Sequence, residues 1–202
     1  GTADTSVAWF DGSVADAFAH AKSADKPLFL YWGALWCPPC QEIKHTVFKE
    51  PRFINQSALF VPVYLDGDTA QAQAWGERFG VQGYPTMIVF NSAGHEVTRI
   101  PGGIDVTAYS VVLQTALERL TPVADLLLLA LDDPQKLNTA DLQLLAWYSW
   151  GQDNSALPEN TDILLFHRLA NAARATDPKA AARLDMQYLR LAAEAAAVVD
   201  PG

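Results

Sequence analysis

Apolar and polar positions change period several times along the first 120 residues. Val14, Ala17, Phe18 and Ala21 recur at helical spacing behind the short segment Val7–Phe10, and Ser13 suits an N-cap. This predicts a helix from about Ser13 to the break at Asp25-Lys26-Pro27. Leu28–Trp32 is apolar without alternation, the pattern of a central strand covered on both faces. Pro38 and Pro39 suit the first turn of a helix, where a missing N–H costs least. That helix is expected to run through Ile43, Val47 and Phe48 and to end near Pro51. Ala58–Leu65 reads as the next strand, with Asp66-Gly67-Asp68 turning out of it. A helix over about Ala70–Phe79 and a strand over Thr86–Phe90 follow. Asn91-Ser92-Ala93-Gly94 reads as a hairpin turn into Glu96–Ile100, and a helix from about Asp105 to Leu120 comes after Pro101-Gly102-Gly103. From Leu28 onward the order β-α-β-α-β-β-α describes an α/β layer sandwich.

From Thr121 the strand signals stop and Ala and Leu dominate. Four helices are expected, near 123–131, 139–150, 161–175 and 178–198, punctuated by Asp133-Pro134, Pro158 and Asp177-Pro178. Thr121-Pro122 is therefore the expected boundary between an α/β domain, 1–120, and an all-helical C-terminal module, 121–202. No convincing tetratricopeptide-type period runs through the second half. Trp147-Tyr148-Ser149-Trp150 is placed within a helix, and its three aromatics cannot all face one core stripe. They are expected either to dock the module on the α/β domain or to present a partner-binding surface.

Half of the 202 residues are hydrophobic, enough for a substantial core, and the formal net charge is -9. That charge disfavours phosphate backbones and anionic lipid surfaces, so neither nucleic-acid binding nor membrane insertion is expected. The longest apolar run, Leu126–Leu131, is bounded by Asp125 and Asp132 and is far shorter than a membrane span.

The chain has two cysteines, both in Trp36-Cys37-Pro38-Pro39-Cys40, between a buried strand and a helix. A sulfur at a helix N-terminus faces unpaired backbone N–H groups and the positive end of the dipole, which favour thiolate. Cys37 is thus the expected attacking thiolate. Cys40, one turn on and more buried, is the expected resolving thiol that releases a mixed disulfide. Structural zinc needs about four ligands, and no second cysteine pair accompanies four scattered histidines, so no metal is expected. No cofactor beyond the dithiol is needed. Copper handling is disfavoured because Met87 and Met186 are the only methionines. In Gly83-Tyr84-Pro85-Thr86, a proline entering a strand suits a bend or a cis bond.

The Cys37–Cys40 helix after its strand, Asp66 at a strand end and Tyr84-Pro85-Thr86 together resemble the thioredoxin superfamily over about residues 7–120. Lys26-Pro27-Leu28 through Phe48, with Glu42-Ile43-Lys44-His45-Thr46-Val47-Phe48 and then Pro51, is most similar to the C-terminal domain of DsbD and related exported thioredoxin-like proteins. The resemblance implies a cis Pro85 beside the cysteines and a Tyr84 backbone that pairs with the substrate chain. It also implies disulfide-containing protein substrates, an upstream redox partner and export to a bacterial periplasm. The opening Gly1-Thr2-Ala3-Asp4 carries no signal peptide, and the leader is expected to have been removed. Trp36 is expected to be partly exposed and to help dock the target, while Trp32 and Trp75 belong to the core. Where thioredoxins carry a buried Asp and its Lys partner, this chain has Tyr31 and Pro62, so Cys40 must use water or another base. Glu42 and Lys44 read as a solvated helix face.

The dipeptide between the cysteines tunes the thiolate. Two prolines add no charge and no N–H donor, so a reductase or isomerase is expected rather than a strong oxidase. The alternative is a redox-inert, partner-binding adaptor built on the same fold.

Overall fold

The computed structural model describes residues 6–100, 106–152 and 157–199. The chain divides into two compact units, Gly1–Pro122 and Val123–Gly202. In the first, the sequence folds into α1 (Val14–Ala24), β1 (Leu28–Gly33), α2 (Pro38–His45), α3 (Pro51–Ser57), β2 (Val61–Asp66), α4 (Ala70–Arg78), β3 (Thr86–Phe90), β4 (Glu96–Ile100) and α5 (Val106–Arg119). The sheet order is β2-β1-β3-β4. β1 runs parallel to β2 and antiparallel to β3, and β3 is antiparallel to β4.

The caps follow local chemistry. Ser13 accepts from the Asp16 N–H at the start of α1, and Asp25 ends it in the left-handed region at φ 50°. β1 is buried along its whole length, as its unbroken apolar run requires. Leu28, Leu30 and Trp32 point to the face shared with Val14, Ala17 and Ala21 of α1, Val61, Val63 and Leu65 of β2, and Ile88 and Phe90 of β3. Full burial of one such side chain stabilises by roughly 1.5–3 kcal/mol. The indole of Trp32 donates to the Ala72 carbonyl at 2.9 Å, fixing α4 against β1. Phe29 and Tyr31 point to the other face, where their rings meet Phe48, Phe53 and Phe60.

The single helix expected from Pro38 to near Pro51 is instead three pieces. α2 stops at His45, and Thr46 caps it: its N–H donates to the Glu42 and Ile43 carbonyls and its hydroxyl bonds back to the Glu42 carbonyl, with the backbone distorted (φ −115°, ψ −78°). A 3₁₀ turn over Val47–Lys49 follows. Glu50, constrained by the proline after it, is extended, and Pro51 opens α3 instead of ending a helix. Residues 58–60 form the turn that leaves α3, so β2 begins at Val61, not Ala58. Phe60 is buried there as a turn residue, and apolarity alone does not separate that state from a strand. The hairpin turn falls as expected, with Gly94 at φ 88°. The expected glycine-rich approach to α5, 101–105, lies outside the described residues.

The second unit consists of α6 (Val123–Asp132), α7 (Thr139–Trp147), α8 (Leu164–Ala173) and α9 (Pro178–Val199). Asn138 and Asp141 form a reciprocal capping box at α7. Leu165, Phe166, Leu169, Ala170 and Ala173 of α8 are buried, as are Ala180, Ala181 and Leu184 of α9. The expected helix through Trp150 ends three residues early. Tyr148 is extended (φ −58°, ψ 143°), which turns Tyr148 and Trp150 inward. Trp150 packs edge-on to Phe166 and donates to the Leu145 carbonyl at 2.7 Å, while Trp147 lies under the Arg183 guanidinium. The aromatic run is thus packed within its own unit. Among the described residues, no helix is long and apolar enough to cross a membrane.

Candidate active site

The site forms where β1 ends and α2 begins. Cys37 is the N-cap of α2 and Cys40 sits in its first turn, with Cα atoms 5.2 Å apart and the two sulfurs joined in a disulfide. Pro38 and Pro39, both exposed, occupy the turn between them. Since neither has an N–H, the first donor to reach the Cys37 sulfur is the Cys40 amide, at 3.3 Å. That contact, with the helix dipole, stabilises charge on Sγ of Cys37 once the disulfide opens. Both residues are buried in this oxidised form, so the expected contrast in exposure between them is slight.

The loop entering the helix is braced. The Cys37 N–H donates to the Ala34 carbonyl at 3.2 Å, and the Gln41 side-chain amide reaches the Ala34 and Leu35 carbonyls. Gln41 was not singled out in the sequence, because a glutamine following a cysteine carries no signal of its own. Leu35 and Trp36 are left pointing outward, 74% and 66% exposed.

Tyr84 packs against Ala34, Cys37 and Cys40, and the Tyr84–Pro85 peptide is cis. The Thr86 hydroxyl donates to the Gly83 carbonyl at 2.7 Å, closing the bend before β3. The Trp36 and Tyr84 rings stand 6.0 Å apart. The turn after β2 meets both: the Trp36 indole donates to Asp68 at 3.1 Å, and the Tyr84 hydroxyl donates to the Gly67 carbonyl at 3.2 Å. The fold thus brings Trp36, Cys37, Cys40 and Tyr84 together, with the buried Pro85 directly behind Tyr84 in the chain. Gly67 and Asp68 were legible only as turn residues.

The thioredoxin-like domain family matches residues 14–117, just over half of the chain. The chain belongs to the thioredoxin-like family. Relatives include the thiol:disulfide interchange protein DsbD of Citrobacter koseri, 30% identical over 101 residues, 48% of this chain and 18% of that protein. DsbD of Photorhabdus laumondii is 28% identical over 97 residues, 46% of this chain and 17% of that protein. The chain thus matches less than a fifth of the length of these curated relatives. A thioredoxin from Thermus thermophilus superposes with a TM-score of 0.49 at 26% identity, covering 55% of this chain and 87% of its own.

Within this thioredoxin-like chain, the layer behind the site is phenolic. Tyr31 of β1 is in register with Tyr64 of β2 and Met87 of β3, and the Tyr109 hydroxyl donates to the Met87 sulfur. The Tyr31 hydroxyl is buried, with the Tyr64 hydroxyl beside it but no partner at full hydrogen-bond geometry. Burial, followed by the charge Tyr64 would carry, pushes its ionisation well above the ordinary phenol range. Glu42 is exposed and Lys44 half-buried on α2. Among the described residues, no three His, Cys, Asp or Glu side chains gather as metal ligands.

Proposed function

We propose that this chain is a thiol–disulfide oxidoreductase acting on protein disulfides, with Cys37 as nucleophile and Cys40 as resolving thiol. The Cys37–Cys40 disulfide at the N-terminus of α2 carries the reading, with the Cys40 amide aimed at the Cys37 sulfur. In the reduced protein the Cys37 thiolate attacks one sulfur of a target disulfide. A mixed disulfide forms, and the other target sulfur leaves as thiolate. Cys40, deprotonated by solvent, then attacks Cys37 Sγ. The second target thiolate departs and the internal disulfide is restored. Two electrons pass to the target, and an upstream protein dithiol must return them.

Trp36 and Tyr84 are proposed to receive the target chain, with the main chain at Tyr84, ahead of cis Pro85, pairing with it in a β-like manner. The two prolines between the cysteines supply neither charge nor N–H, which favours reduction or isomerisation over strong oxidation. The resemblance to DsbD's C-terminal domain supports a periplasmic location.

The test is the equilibrium reduction potential in glutathione or dithiothreitol buffers, together with insulin reduction by Cys37→Ser and Cys40→Ser variants. The expected potential is at or below roughly −220 mV, and a value near −120 to −180 mV overturns the reductase assignment. Cys40→Ser should trap a mixed disulfide. If the unaltered protein reduces no insulin and Cys37→Ser still binds its partner as well as the unaltered protein does, the protein is a redox-inert adaptor.

A further inference from the structure

Gly67 is buried at the end of β2, and its backbone is not in the left-handed region that calls for glycine. The requirement there is space. A Cβ at Gly67 would lie 2.5 Å from Cε2 and Cζ of Tyr84 and 2.8 Å from its hydroxyl, closer than real Cβ atoms approach. The turn itself is anchored. The Gly67 N–H donates to the Gly33 carbonyl at 2.7 Å, and the Asp66 carboxylate accepts from the Asp68 N–H at 3.0 Å. From that anchor Gly67 accepts from the Tyr84 hydroxyl, and its neighbour Asp68 accepts from the Trp36 indole. One three-residue turn therefore holds both aromatic rings beside the disulfide.

We infer that Asp66-Gly67-Asp68 is a positioning element that sets the Trp36–Tyr84 pair for target docking, and that Gly67 is its specificity-determining residue. This rests on the oxidoreductase reading above. Gly67 touches neither sulfur, so its effect belongs to recognition of the target and not to thiol chemistry. A side chain there forces the Tyr84 ring off the turn, breaks the phenol–carbonyl hydrogen bond and changes the 6.0 Å spacing to Trp36.

The experiment measures insulin reduction by Gly67→Ala, Tyr84→Leu and the double variant. Gly67→Ala is expected to raise KM by about 5–10-fold while kcat and the reduction potential hold. In the Tyr84→Leu background, where no ring overlies the turn, Gly67→Ala should add nothing. An unchanged KM, a shifted potential, or the same KM increase with Leu at position 84 overturns the inference. Should Gly67→Ala fail to fold, Tyr84→Phe removes only the hydroxyl and is expected to raise KM by about 2–3-fold; an unchanged KM overturns the inference. The Trp36 indole N–H resonance gives a readout independent of turnover. It should shift in Gly67→Ala, and an unshifted resonance defeats the coupling even if the protein reduces no insulin, an outcome that by itself defeats only the oxidoreductase reading.

Discussion

Tyr31 folds its ring over the α-carbon of Gly33, two residues further along the same face of β1. A methyl group on Gly33 would fall 2.7 Å from the Cε1 and Cζ atoms of that ring. The ring is confined by Phe48 and Tyr64, whose centroids are each 4.9 Å away, so it has little room to yield. Gly33→Ala is therefore expected to destabilise the protein by about 1–3 kcal/mol, read from the midpoint of denaturant unfolding.

The hydroxyl of Tyr31 behaves differently from its ring. It is buried with only the Tyr64 hydroxyl beside it and no partner at full hydrogen-bond geometry, so its desolvation is poorly compensated. Tyr31→Phe keeps the ring and removes that cost. The variant is expected to gain about 1 kcal/mol of stability at neutral pH, and a loss of that size would show that the hydroxyl is hydrogen-bonded after all.

The same phenols make the fold sensitive to base. Burial raises Tyr31, Tyr64 and Tyr109 above the ordinary value of 10.0. Tyr64 adds to the rise at Tyr31, Asp66 to that at Tyr64, and Tyr31 to that at Tyr109. Above pH 10 the unfolded chain releases phenolic protons that the native state retains. Stability is thus fully present below that pH and is lost as pH rises toward the native values. The limiting slope is about 1.4 kcal/mol per pH unit for each phenol concerned. Urea unfolding between pH 8 and 11.5 should show this fall, and Tyr31→Phe should make it shallower by about one proton. A slope identical to that of the parent protein would contradict the assignment.

Redox poise is open to a direct test at the motif. Pro39 is exposed immediately before Cys40. An imidazolium there would add positive charge near the Cys37 thiolate and stabilise the reduced state. Pro39→His is expected to raise the reduction potential by about 30–60 mV, where about 30 mV corresponds to a tenfold change in the equilibrium constant. An unchanged or lower potential would remove the argument from the two prolines.

In the helical unit, Trp150 bridges the end of α7 to Phe166 of α8 and satisfies its indole on the Leu145 carbonyl. Trp150→Ala opens a large cavity and removes that hydrogen bond. A loss of about 3–5 kcal/mol is expected, measured by denaturant unfolding of the full chain. A loss below 1 kcal/mol would mean that Trp150 is not part of this core.

Much of the architecture was readable because it is written in short windows. The Leu28–Trp32 run identified the central strand, Ser13 the start of α1, and Asn91–Gly94 the hairpin. The misreadings share one cause. From Val47 to Phe60 the chain is rich in apolar residues that are buried in a 3₁₀ turn, a helix and a turn in succession, and burial leaves the same trace in all three. Tyr148-Ser149-Trp150 misled likewise, since inward-facing residues after a helix end look like its continuation.

By itself the sequence determined the strand-then-helix setting of Cys37 and Cys40, the proline after Tyr84 and the change to an all-helical second half, because spacing, capping and backbone restriction act between near neighbours. Only the tertiary structure decided that Asp68 holds the Trp36 indole, that a side chain at Gly67 would collide with the Tyr84 ring, and that Tyr31 lies over Gly33 beside two further phenols. The Trp36–Asp68 and Tyr84–Gly67 contacts join residues 32 and 17 positions apart. They exist because the sheet brings the ends of β1 and β2 and the entry to β3 to one edge, a proximity that no local pattern encodes.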